Sequence, residues 1–228
     1  MTMLDLLPML GLGLGLGLLH ALDADHVMAI SVLNSEKPGV ARGAFYSCCW
    51  GLGHGSMIIF VAALLFSFGW VVPAELTGFA EIAVGILLVG LGLNLFFNFK
   101  RKNIQLHKHS HGDIVHSHWH STKHEEIPEK NLSGAHKPVM IGLLHGFAGS
   151  APAIALIPAL AYGEIEVVAL YLITFSVGVM LAMVVFGFGF SYCQNLLAQR
   201  YQLMAQYQAK FVAFLSVSVG CFWLSQVV

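Results

Sequence analysis

The chain has 228 residues, of which 57% are hydrophobic and 10% charged, with a mean hydropathy of +0.75 and a formal net charge of −1. A soluble globule carries about 25% charged residues, so this balance excludes an ordinary soluble domain and points to an all-α, polytopic membrane protein. The near-neutral charge offers no footprint for nucleic acid.

Apolar runs long enough to cross a bilayer fall at about 6–33, 44–70, 77–99, 138–162, 167–192 and 208–227, which predicts six transmembrane helices. The first run lacks a positively charged leader, and acids stand where a peptidase site needs small neutral residues. It therefore reads as a span and not as a cleaved signal peptide. Three regions follow: a three-helix unit over 1–99, a polar stretch over 100–137, and a second three-helix unit over 138–228.

Within the first span, residues 20–26 read His-Ala-Leu-Asp-Ala-Asp-His. A carboxylate near the bilayer centre costs about 2.5 to 3.5 kcal/mol, so Asp23 and Asp25 together impose roughly 5 to 7 kcal/mol unless something neutralises them. A bound cation does so. Imidazole nitrogen beside carboxylate oxygen suits nickel, cobalt, zinc or iron better than calcium or magnesium. On a regular helix His20, Asp23 and His26 fall within an arc of about 120°, leaving Asp25 aside. Either the helix unwinds near Ala24, or Asp25 acts behind the ligands, for example by fixing a histidine tautomer.

His54 in the second span and His145 in the fourth are expected at a similar depth, so three spans can line one pocket. Glu81, Asn94 and Asn98 of the third span are weaker candidates. Glu75, Glu164 and Glu166 are expected at the surface. Cys48, Cys49, Cys193 and Cys221 lack zinc-finger spacing and read as small apolar side chains, the vicinal pair being at most a soft metal contact.

Between the third and fourth spans stand His107, His109, His111, His116, His118, His120 and His124. Too little apolar content accompanies them to build a core, so this loop is expected to be disordered and to bind transition-metal ions, as a buffer, as a sensor or as a trap for export. All eleven Lys and Arg residues lie in loops one, three and five or near their ends. By the positive-inside rule those loops are cytoplasmic and both termini lie outside.

A shift of 125 positions lays Gly17-Leu18-Leu19-His20 on Gly142-Leu143-Leu144-His145, Asp25 on Ser150 and Gly53 on Gly178. Two units of three spans each must be inverted relative to one another, a recurrent architecture of secondary transporters. Small-xxx-small pairs at Gly11, Gly13, Gly15 and Gly17, at Gly51 and Gly55, and at Gly142 and Gly146 fit close helix packing.

At His20 through His26 the chain resembles the nickel/cobalt transporter (NiCoT) family, and Leu52-Gly53-His54-Gly55-Ser56 is similar to a second family motif. Leu19 stands where that family commonly has Arg. His145 through Pro152 looks like the shorter, six-span UreH-like branch of urease accessory nickel permeases. The resemblance implies that His20, Asp23, Asp25, His26 and His54 handle a metal ion. It also implies a multi-pass permease of the bacterial cytoplasmic membrane that carries Ni2+ or Co2+ as substrate, has no prosthetic group, and supplies urease or hydrogenase maturation. Without a Gly-x-x-x-x-Gly-Lys-Ser/Thr loop in this chain, an ion gradient, the membrane potential or another subunit has to drive transport. An exporter is the alternative. A membrane metalloenzyme fits less well, because no His-Glu-x-x-His motif is present.

Overall fold

The computed structural model describes residues 3–36, 38–68, 74–102, 105–111, 114–120, 134–148 and 165–227. Among these, seven helices form the body: α1 (Met3–His20), α2 (Ala24–Glu36), α3 (Val40–Phe68), α4 (Ala74–Lys102), α5 (His136–Phe147), α6 (Ile165–Arg200) and α7 (Gln202–Val227). Helices are what apolar sequence must form in lipid, where each backbone N–H and C=O needs a partner within its own segment. The perimeter is apolar, with Phe79 70% and Val185 71% exposed. Such a surface is stable against acyl chains and unstable against water.

α3, α4, α6 and α7 are each long and apolar enough to cross a membrane, and α1 with α2 makes a fifth span if the bent pair counts as one. This is a polytopic membrane protein. Of the fourth expected span, α5 covers the start, and residues 149–162 lie outside those described. α6 has 36 residues, about 54 Å at 1.5 Å per residue, so it runs well beyond the expected 167–192 and beyond a hydrocarbon core of about 30 Å.

The first span is not one continuous helix. α1 ends at His20, and α2 leaves at 63° to it. The backbone tightens through Leu22 N–H to Leu19 C=O and Asp23 N–H to His20 C=O, and then restarts with Val27 N–H donating to Asp23 C=O. The unwound residues are thus Ala21 to Asp23, just before the expected Ala24. α2 then runs through the centre of the molecule, packed on α3, α4, α6 and α7. Its residues Ala29 to Ser35 are buried without interruption.

Glycines set the closest approaches. A Cβ at Gly17 would overlap the backbone of Phe175 and crowd Val179, and one at Gly142 would overlap Trp50 and crowd His54. Gly178 lies against Leu14 and Leu18, and Gly53 against Val139 and Leu143. In both comparisons the second set of positions differs from the first by 125. Gly13 likewise meets α6, whereas Gly11 and Gly15 have open space around them.

The His-rich stretch corrects the expectation of a wholly disordered loop. Strands β1 (Gln105–His111) and β2 (Ile114–His120) pair antiparallel, with His107 opposite His118 and His109 opposite His116. Two-residue alternation, with the strand formers Ile114, Val115 and Trp119, favours this pairing without a large core. His124 lies outside the described residues, as do Lys37, Lys123, Lys130 and Glu164.

Candidate metal centre

His20 closes α1, His26 lies in the first turn of α2, His54 is midway along α3, and His145 is in the last turn of α5. The break in the first span brings the first two together, with ring centroids 4.7 Å apart. His54 lies 5.5 Å from His20 and 4.8 Å from His26. One ring nitrogen from each of these three can be chosen so that all lie within 4.8 Å of one another. Nitrogens held at about 2.0 to 2.1 Å on one tetrahedral ion are about 3.3 Å apart, so the trio closes on an ion after its longest separation contracts by up to about 1.5 Å.

His145 stands one step outside, 5.7 Å from His26. Its Nδ1 lies 2.9 Å from the Ile141 carbonyl oxygen. A carbonyl only accepts, so Nδ1 carries the proton and the lone pair of the neutral ring is on Nε2. That Nε2 is buried without a partner, as are both ring nitrogens of His20 and His54 and Nδ1 of His26. Buried imidazole nitrogens normally find partners, and several without a hydrogen bond at one place fit a metal site.

The acids divide. Asp23 Oδ2 lies 2.9 Å from His20 Nδ1 without the alignment of a hydrogen bond, and its side chain is 42% exposed. Asp25 is largely buried, with Oδ2 3.8 Å from His26 Nε2 and Oδ1 unpartnered. Both sit at the N-terminus of α2, where the helix dipole favours a carboxylate by about 0.3 to 1 kcal/mol. That offsets only part of the desolvation of Asp25, so the demand for a cation persists there. Exposure relieves Asp23.

Two aromatic walls carried no anomaly in the sequence. Trp50, one helical turn before His54, lies 4.9 Å from both His26 and His54, and its buried Nε1 has no partner. Phe175 stacks on His20 at 5.6 Å. The spacing of Trp50 four residues before His54 on one helix face was the available signal. Other candidates lie elsewhere. Asn98 donates to Asn94, which donates to Glu36, and Glu36 also pairs with Lys137 at one end of the molecule. Glu75 and Glu166 are exposed, Glu81 is half-buried, and all four cysteines are free, with none in the histidine group.

Fold and site together define a polytopic membrane protein with a buried histidine cluster at a helix break, an arrangement that fits a metal site. The chain belongs to the family described as the cytochrome c biogenesis protein transmembrane region, whose family model matches residues 9–221. It is also similar to the urease accessory protein UreH of Bacillus sp. (strain TB-90), with 31% identity over 186 residues, which are 82% of this chain and 77% of that protein. That similarity bears out the resemblance drawn from residues 20–26 and 52–56. No solved structure matches.

Proposed function

We propose that the protein is a transition-metal permease that imports Ni2+, with Co2+ as a second substrate, through the site formed by His20, Asp23, Asp25, His26, His54 and His145. The observation that carries this reading is the set of unpartnered imidazole nitrogens from α1, α2 and α3 around one point, with that of His145 in α5 beside them. Nitrogen donors beside one buried carboxylate suit a borderline divalent ion, and the similarity to UreH supports nickel and a link to urease. Nothing in the arrangement calls for bond-making chemistry, and passage of an ion needs only binding and release.

The two inverted three-helix units, 1–99 and 138–228, belong to this proposal. Their support is the offset of 125 shared by the glycine contacts of α1 on α6 and of α5 on α3. Under the same offset His20 corresponds to His145 and Trp50 to Phe175. His54 corresponds to Val179, so the second unit retains only part of the ligand set. With loops one, three and five cytoplasmic, an inside-negative membrane drives a divalent ion inward by about 4.6 kcal/mol per 100 mV. His107, His109, His111, His116, His118, His120 and His124 form a secondary cytoplasmic buffer, supported by the register that pairs His107 with His118 and His109 with His116.

Equilibrium binding tests the site itself. In a purified chain lacking residues 105–125, so that the hairpin cannot contribute, Ni2+ binding is expected to saturate at a single ion. It should be lost in His26→Ala and in His54→Ala. Saturable binding that persists unchanged in both variants refutes the site.

A further inference from the structure

Away from the histidines, α2 and α6 share a second buried polar feature. Asn34, Ser35, Ser191 and Gln194 are each no more than 3% exposed, and α2 is enclosed by other helices, so none of them faces lipid. Asn34 Nδ2 lies 3.4 Å from the Gly187 carbonyl oxygen, which can only accept, so the amide orientation is fixed and Asn34 Oδ1 is turned away without a donor. Gln194 Nε2 contacts Ser35 Oγ at 3.4 Å, and Gln194 Oε1 and Ser191 Oγ have no partner. Gly187, Ser191 and Gln194 follow one another at helical spacing on one face of α6, so these groups form a stripe.

Each unpaired buried acceptor costs about 1 to 3 kcal/mol, and apolar residues of the same size would avoid that cost. Retained polar groups of this kind call for a ligand. Asn34 lies eight residues beyond His26 on the same helix, about 12 Å along its axis. Ser35 is followed by Glu36, the acid at the end of α2 that Lys137 and Asn94 hold. Histidines and stripe therefore succeed one another along the axis of α2, Asn34 being turned about 80° from His26 and Ser35 about 180°.

We infer that the stripe of Asn34, Ser35, Ser191 and Gln194 is a second station for the transported divalent cation, between the histidine cluster and the end that carries Glu36. The inference rests on the transport reading above. Passage requires binding strong enough to accept the ion and weak enough to release it. Imidazole nitrogens supply the first property. Neutral amide and hydroxyl oxygens supply the second, because they replace part of a hydration shell without adding charge that would trap a divalent ion. Beyond the stripe stands Glu36, whose carboxylate Asn94 and Lys137 hold.

The test uses the full chain reconstituted in vesicles, with Ni2+ as the probe, comparing wild type with Asn34→Leu, Gln194→Leu and Ser191→Ala. Ni2+ binding, Ni2+ flux and the thermal midpoint are measured on each. The leucine variants are expected to bind Ni2+ within about twofold of wild type, to melt no lower, and to lose flux by about tenfold, with Ser191→Ala showing a smaller loss. Unchanged flux in all three variants would overturn the station. So would a fall in flux that only tracks a lowered midpoint, since the stripe would then be a packing element. A wild-type chain that neither binds nor passes Ni2+ would instead overturn the transport reading, and the wild-type arm separates that failure from the other.

Discussion

At the residue scale, the ligands are distinguished by which ring nitrogens are free. His54 can offer a lone pair from either nitrogen, one at a time, and His145 offers Nε2 from one step further out. His54→Ala is therefore expected to abolish Ni2+ binding, whereas His145→Ala should weaken it by about tenfold, both read by equilibrium binding. Equal losses would contradict the ranking. Trp50 touches three of the four imidazoles and reports on the site. In the chain lacking residues 105–125, and with them Trp119, Ni2+ is expected to quench tryptophan fluorescence and to leave the Trp50→Phe variant nearly unquenched, although two other tryptophans remain. Glycine substitutions separate contact from composition. Gly17→Ala and Gly142→Ala drive a methyl into a neighbouring backbone and should each cost about 1 to 3 kcal/mol, seen as a lowered thermal midpoint, while Gly11→Ala and Gly15→Ala meet open space and should cost nothing.

At the scale of elements, legibility followed cost. His20, Asp23, Asp25, His26, His54 and His145 drew attention because ionisable groups are anomalous in apolar spans, and the structure sets the four histidines side by side. The long apolar runs of α3, α4, α6 and α7 were visible for the same reason, since lipid demands them. What the residues did not disclose was geometry without an energetic flag. The 63° break lies at Ala-Leu-Asp, a sequence with neither Pro nor Gly, and is set by the packing of α1 on α6 and of α2 through the centre. Trp50 and Phe175 look like any other apolar residues until neighbours are known. Asn34 and Gln194 gave weak signals because single amides in helices are common. The hairpin was not legible because its alternation sets His against Lys and Ser, with too few apolar residues to mark a buried face.

At the scale of the whole molecule, α2 is the axis around which the account turns. It begins at the histidines, passes the polar stripe and ends at Glu36, with α3, α4, α6 and α7 around it. If the two proposed units are inverted, rocking one against the other would expose that axis first to one face and then to the other. A buffer in the hairpin, as proposed, would change how much ion is held and not whether it passes. Direction is the claim on which the proposed function depends most. Radiolabelled nickel accumulation at trace concentration should be measured in cells expressing the wild type, His26→Ala, or a chain lacking residues 105–125. Import through the histidines predicts accumulation above the empty-vector control for the wild type, its loss in His26→Ala, and its survival in the deletion. Accumulation below the control, returned to the control level by His26→Ala, would contradict import and establish efflux through the same histidines.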